Sequence, residues 1–276
     1  MLKPKSLVEF KETFVFSSDV DSGAKNKSVL GDYFQVQLNN PLSIPSDAFN
    51  CTLRVLQSSI WYTTPNISVI QNNNTIYYNN GVADKTIVLP NGLYGIDDIN
   101  LVLARELVTN GDPSNLFTLL ADNATQRVVI LFDLAGITID FTQPNTPRDI
   151  LGFNDPPVVI GPSIEGGSIG GNAVAGFNSL EAFIISGDIV SNGIPTNSIA
   201  RGVLAYIPIT AEVGLQNVYS PYNPLMVDGN ELIGKSKNVL NFYLTDQNLR
   251  PLDTNSENWS FIVELSYHAP VLLGSA

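Results

Sequence analysis

Along most of this chain apolar and polar residues alternate over short runs, the period of a β-strand with one face buried. From Tyr33 to Leu38, Phe34, Val36 and Leu38 oppose Gln35 and Gln37. Cys51, Leu53 and Val55 likewise oppose Thr52 and Arg54 before Ile60, Trp61 and Tyr62. Further strands are predicted over 180–190, 202–209, 213–219, 238–246 and 259–267, each bounded by turn residues. The N-terminal stretch holds one apolar island, Phe10 to Phe16, among Ser, Gly, Asn and Lys. It reads as a mobile arm in which the island docks on a neighbour as a strand.

The period changes once. Thr86-Ile87-Val88 runs into Pro90 and Asn91-Gly92, after which Ile96, Ile99, Leu103 and Leu107 recur at three- and four-residue steps. Asp97 and Asp98 favour the positive end of a helix, and Asn110-Gly111 closes it. This is the single clear helix the sequence predicts. Strand runs lie on both sides of it, at 67–70, 75–78, 86–89, 116–120, 127–132 and 137–141, with an Asn80-Gly81 hairpin signal. Strands, one helix and more strands predict a small α+β unit whose helix covers one antiparallel sheet. Gly161 to Gly176 is dense in glycine and reads as a flexible linker.

The predicted fold is therefore mainly β: a single jelly-roll β-sandwich with an inserted small α+β subdomain containing the one clear helix. The predicted boundaries are 1–30 for an N-terminal arm, 31–64 with 175–270 for a discontinuous jelly roll, 65–174 for the insert and its linker, and 271–276 for a tail. No repeat at a fixed period appears.

Composition sharpens this picture. With 44% hydrophobic and only 14% charged residues, the surface must be covered by Asn, Ser, Thr and Gln, and the 21 Gly and 17 Pro suit many turns. A net charge of −12 argues against a dedicated nucleic-acid surface. Lys3, Lys5, Lys11, Lys25 and Lys27 crowd the start, but Glu9, Glu12, Asp19 and Asp21 nearly cancel them. Cys51 is the only cysteine, so no disulfide framework exists within the chain, and its neighbours predict a buried, inert thiol. No apolar run approaches the roughly 18 residues of a membrane span, and Met1-Leu2-Lys3-Pro4 leads into no apolar signal core, so synthesis without secretion is expected. The N-x-S/T triplets, as at Asn66 and Asn123, then carry no glycosylation signal.

Candidate chemistry is sparse. His268 is the only histidine and is predicted to follow the last strand, which leaves no usual zinc set and no ready Ser-His-Asp triad. Glycoside hydrolysis needs two facing carboxylates; Asp133, Asp140, Glu181, Asp188, Glu212 and Glu264 lie in or beside strands, yet strand alternation places acids on solvent faces by default. Asp228-Gly229-Asn230 lacks the further oxygens of a calcium loop. Gly166 to Gly171 lacks the Lys-Ser/Thr of a phosphate loop. Aromatic groups at Trp61-Tyr62, Tyr77-Tyr78 and Tyr219 to Tyr222 suit half-buried strands or partner contacts. These residues predict a structural or binding protein with no cofactor and no metal, rather than an enzyme.

A succession of segments adds to this reading: Asn74-Thr75-Ile76-Tyr77-Tyr78, Ile87-Val88-Leu89-Pro90-Asn91-Gly92-Leu93-Tyr94 before an acidic helix start, Ile150-Leu151-Gly152-Phe153, Tyr219-Ser220-Pro221-Tyr222-Asn223-Pro224-Leu225, and Leu244-Thr245-Asp246. In that order, over 33–267, the chain resembles the penton-type minor capsid proteins of virophages and Polinton-like viruses. The resemblance implies a virion protein, assembled in the host cytoplasm or nucleus, that forms homopentamers at the vertices of a tailless double-stranded DNA virus. It also implies contact with a larger major capsid protein, an insert projecting outward, and an arm reaching under neighbours. On that reading Lys3, Lys5, Phe10, Tyr219, Tyr222 and Leu225 are the expected partner contacts. A glycan- or receptor-binding spike module, using the Asn- and Tyr-rich turns of the insert, is the alternative.

Overall fold

The structure, a computed structural model, describes residues 5–154, 156–162, 164–177, 180–190 and 202–272, with the side chains of Lys5 and Leu272 outside that description. Its strands, in chain order, are β1 (Lys5–Ser17), β2 (Ala24–Lys25), β3 (Tyr33–Ser43), β4 (Phe49–Trp61), β5 (Thr75–Asn79), β6 (Asp84–Val88), β7 (Phe117–Asp122), β8 (Arg127–Phe132) and β9 (Thr138–Asp140). They continue with β10 (Val159–Ile160), β11 (Ser168–Gly170), β12 (Ala182–Gly187), β13 (Val203–Pro208), β14 (Gln216–Tyr219), β15 (Val227–Asp228), β16 (Ser236–Thr245) and β17 (Ser260–Leu272). The helices are α1 (Ile96–Thr109) and a single turn, α2 (Arg148–Leu151). The chain divides into two compact units: residues 1–64 with 180–276, and residues 65–179.

The first unit is a sandwich of two antiparallel sheets, ordered β1-β17-β4-β14 and β13-β12-β16-β3-β2, with β15 also pairing β4. Its eight principal strands pair first with last (β1·β17), second with seventh (β3·β16), third with sixth (β4·β14) and fourth with fifth (β12·β13). That nesting is the order of a jelly roll, and β17·β4 and β12·β16 complete each sheet. The mainly β architecture agrees with the alternation in the sequence. Between the sheets the inward residues form one core, including Phe16, Phe34, Cys51, Leu53, Val55, Phe183, Ile185, Phe242, Leu244 and Phe261.

Trp259 anchors that core. Its ring meets Phe34 edge-on at 4.9 Å and stacks on Phe261 at 5.7 Å. The indole N–H donates to the Gly31 carbonyl at 2.8 Å, so the large ring is buried with its polar group satisfied. The Trp259 backbone N–H donates to Ser18 Oγ at 2.9 Å, and the Ser18 N–H donates to the Trp259 carbonyl at 2.9 Å, which ties the start of the chain to its end. Cys51 is fully buried beside Leu53; burial, reinforced by the Asp228 charge, pushes its thiol up to about 11, so it stays protonated at neutral pH.

Readings at both ends of the chain change. The predicted arm is not an arm over its described residues: β1 pairs with β17 through every residue from Lys5↔Leu272 to Ser17↔Ser260, without a bulge. Its partner lies at the far end of the chain, so no local pattern marks the pairing. Likewise His268 does not follow the last strand but lies within it, facing Phe49 across the β17–β4 ladder with rings 5.7 Å apart. Of the tail, Val271 belongs to β17 and 273–276 lie outside the described residues.

The second unit carries α1 and two small sheets, β10-β9-β5-β6 and β11-β8-β7, where the sequence predicted one. Ile99, Leu103 and Leu107 of α1 face a shared core with Ile76, Tyr78, Phe117, Ile130, Phe132 and Phe141. The Gly95 N–H donates to the Asp98 carboxylate at 2.9 Å, capping the helix start. Asn100 clips the helix to β7: its amide donates to the Leu119 carbonyl at 2.8 Å and its oxygen accepts the Leu119 N–H at 2.9 Å. The predicted strand at 67–70 is instead a single bridge, Ile67 to Gly92, followed by a turn that exposes Val69 and Ile70.

The expected glycine-rich linker is a bonded edge. β11 pairs with β8, the Phe132 N–H reaches the Gly167 carbonyl at 2.9 Å, and the Gly171 N–H reaches the Val128 carbonyl at 2.8 Å. Glycine serves close approach here. A Cβ on Gly171 would lie 2.7 Å from the Gly152 carbonyl oxygen, and one on Gly152, at φ +76°, 2.4 Å from that of Ala173.

Truncating Trp259 to Ala removes the anchor and strands the Gly31 carbonyl. Denaturant unfolding of this variant is expected to show a loss of about 3–5 kcal/mol, with the far-ultraviolet spectrum retained before the transition.

Candidate interaction surface

The acids weighed for hydrolysis have other work. Glu264, on the outer face of β17, receives the Arg54 guanidinium, with Arg54 Nε at 2.8 Å. Asp188 accepts the Asn241 side-chain amide at 2.6 Å and its backbone N–H at 3.0 Å. Asp140 accepts Gln143 at 2.7 Å and the Thr142 N–H at 2.9 Å. Burial would raise the Asp140 carboxyl, but these hydrogen bonds outweigh it and leave the group below the ordinary aspartate value. Asp133, Glu181 and Glu212 are exposed. Among the described residues no cluster of three or more His, Cys, Asp or Glu side chains could hold a metal ion.

The densest polar cluster belongs to the second unit and is structural. Asp112 accepts Tyr78 Oη at 2.7 Å, Asn80 Nδ2 at 2.8 Å and Lys85 Nζ at 2.9 Å, and Lys85 also donates to the Asn110 carbonyl at 2.7 Å. These contacts join the β5–β6 hairpin to the end of α1. Burial raises the Asp112 carboxyl, yet the three donors and the Lys85 charge together hold it below its usual value. Burial and the bond to Asp112 push Tyr78 up to about 12.

Exposed apolar side chains flank the β1-β17-β4-β14 sheet at both edges, and the two edges differ. On one, β14 pairs with β4 as far as Tyr219↔Ser58 and β15 resumes at Val227↔Leu53. The chain between them leaves the sheet and carries Pro221, Tyr222, Pro224, Leu225 and Met226; Tyr222 is fully exposed and Leu225 and Met226 are 58% and 69% exposed. A break with two prolines, which lack N–H donors, denies that edge to another strand while offering a short apolar knob.

The opposite edge is β1, unbroken and without proline. Phe14 and Phe16 pack on the core and Phe10 stacks on Tyr267 at 5.3 Å, so even-numbered residues face inward. Towards the N-terminus the strand outruns the core: Leu7, Val8 and Phe10 are exposed, as is Val15 on the outer face. Glu12 interrupts the inward apolar row between Phe10 and Phe14.

The six expected contact residues therefore do not form one patch. Tyr222 and Leu225 share the knob, Tyr219 ends β14 and packs partly on the core, and Phe10 lies across the sheet on β1. Lys5 pairs with Leu272 through its backbone, and Lys3 lies outside the described residues. Leu7, Val8, Val15 and Met226 were not among the expected contacts. The alternation of Val8, Phe10, Phe14 and Phe16 was the available signal, obscured by Glu12.

Fold and surface together define a single-jelly-roll protein with an inserted α+β unit and no assembled catalytic group among its described residues. Neither a protein-family model nor a curated protein matches this sequence. Among solved structures, the chain is similar to the penton protein of mavirus, with 10% identity and a TM-score of 0.46 over 97% of this chain and all of that one. The BFDV capsid protein, solved as a 60-mer, matches at 10% identity and a TM-score of 0.15 over 99% of this chain and 95% of that one.

The Asp112 contacts stabilise the fold above the unfolded aspartate pKa, near 3.8, and are lost as pH falls through the lower folded value. Asp112→Asn is expected to lower thermal stability at pH 7 and to leave a shallower decline between pH 5 and 2, read by calorimetry across that range.

Proposed function

We propose that the protein is a structural subunit of an icosahedral viral capsid, of the vertex type, that closes into a five-membered ring and contacts a larger shell protein. The observation that carries this reading is the nested pairing of eight strands into two sheets with a complete unit inserted between the third and fourth, β4 and β12. A jelly roll presents a rigid wedge whose flanks and loops serve as contact surfaces, and a head-to-tail contact between such wedges closes a ring when its rotation divides the circle. The order of its sequence segments, which resembles that of penton-type capsid proteins, supports the same reading. The knob at 220–226 suits such a contact: a Tyr between two prolines is a pre-ordered aromatic anchor, which loses little entropy on seating.

Glycan binding is a second reading, favoured by one surface. On the outer side of the other sheet, Tyr243 lies 5.0 Å from the Tyr33 ring. Tyr33 Oη donates to the Asn241 amide oxygen at 2.8 Å and Gln35 donates to it at 3.1 Å, giving a half-exposed aromatic face bordered by amides and Asp188. Such a face stacks on a sugar ring while the amides take its hydroxyls.

Mass in solution separates the two. Light scattering on the full chain is expected to give five times the chain mass, and Tyr222→Ala with Leu225→Ala to reduce it. A monomer or trimer at all concentrations, with retention on a glycan array that Tyr243→Ala abolishes, would replace the capsid reading by the second.

A further inference from the structure

From the edge of β1, which no other described strand pairs, we infer a second association surface: β1 pairs antiparallel with β1 of another copy across a two-fold axis at Phe10, placing Glu9 of each opposite Lys11 of the other. The inference stands apart from the five-membered ring, which needs a head-to-tail contact, whereas this one is isologous.

The backbone fixes which residues can pair. Ser18 donates to the Trp259 carbonyl, continuing the register that sets Ser17 opposite Ser260. In an antiparallel ladder bonded pairs alternate, so even-numbered residues of β1 spend their N–H and C=O groups on β17 and odd-numbered ones point theirs outward. Lys5, Leu7, Glu9, Lys11, Thr13, Val15 and Ser17 thus present a row of donors and acceptors to solvent. Two copies meeting edge to edge must match odd residues with odd, which restricts the registers to steps of one pair.

The charges select among them. With the axis at Phe10, Glu9 faces Lys11 and Lys11 faces Glu9, Leu7 faces Thr13, and the two Phe10 rings meet on the axis; the cost is Val8 opposite Glu12. One step either way sets Glu9 on Glu9 or Lys11 on Lys11, and a further step brings Glu12 onto Glu12. Within one copy Lys11 Nζ already lies 3.2 Å from Glu9 Oε1, both side chains about half exposed, so each charge is free to change partners. An edge guarded only against pairing would carry one sign or a proline; this one carries opposite signs two positions apart on one face. Leu7, Val8 and Phe10, exposed on the single chain, gain cross-strand neighbours in the pair.

The test is sedimentation of the full chain at low ionic strength across the micromolar range. The wild type is expected to show a species of twice its base mass, whether that base is one chain or a ring. Glu9→Lys or Lys11→Glu alone should weaken the doubling at least tenfold, and the double swap should restore it, which a general charge effect would not do. Phe10→Cys, oxidised with copper–phenanthroline, should give a disulfide-linked dimer on a non-reducing gel, and Val15→Cys should not. A wild type that never doubles, single swaps that leave doubling unchanged, or a double swap that fails to restore it would each overturn the inference. A ring of five without doubling refutes this surface and leaves the capsid reading intact, whereas charge-sensitive doubling without a ring does the reverse.

Discussion

The sandwich depends on one long-range pairing. β17 lies between β1 and β4, so the sheet forms only after the last strand enters between two made from the beginning of the chain. Trp259 and Ser18 seal that entry at one end of the ladder: the Ser18 N–H donates to the Trp259 carbonyl, and the Trp259 N–H donates to Ser18 Oγ. Because loop closure costs entropy that grows only slowly with length, the whole inserted unit can sit between β4 and β12 without great penalty to this closure. Its cost falls on speed, since pairing partners separated by nearly the full chain are slow to meet.

The insert meets its own requirements. It has a separate core, the Asn100 clip and the Asp112 cluster, all made within residues 65–179. Each of these polar groups satisfies buried backbone or joins a strand to a helix, as buried polar groups must. The same holds for Glu264 and Asp188 in the sandwich, where a carboxylate neutralises Arg54 or holds a strand amide. Acids held in this way fix strands and loops to one another, and the exposed apolar side chains of the sandwich lie at its sheet edges and loops.

Legibility in the sequence followed distance along the chain. Alternation exposed β3, β4 and the later strands, and the 3.6-residue period exposed α1 through Ile99, Leu103 and Leu107, because each pattern is complete within one element. β1 was read as an island because Glu12 breaks its inward row and the strand it pairs with among the described residues lies at the other end of the chain. The glycines at 166–171 suggested flexibility, since composition cannot tell a glycine that frees the chain from one that lets backbones touch; at Gly171 an added Cβ would lie 2.7 Å from the Gly152 carbonyl oxygen, which makes the distinction. Of the candidate surface, the prolines and Tyr222 were visible as a loop. That this loop interrupts an edge, and that Phe10 lies on the opposite one, needed the sheet order.

The two edges show how such a protein manages unpaired strands. At β14 the sequence ends the ladder physically, by leaving the sheet and inserting proline. At β1 it does neither: the ladder with β17 runs unbroken from Lys5 to Ser17 and holds no proline. During synthesis β1 emerges first and waits for a partner that emerges last, exposed as an apolar strand of the kind that aggregates. Glu9, Lys11 and Glu12 are the residues that act in that interval: a charge facing inward lowers the value of wrong pairings, and outward charges of opposite sign penalise adjacent self-registers. Once β17 is in place Glu12 sits at the margin of the core, where its carboxylate stays solvated, so the guard costs the finished fold little. The outward pair then no longer protects a nascent chain; it becomes the feature that distinguishes one edge register from its neighbours.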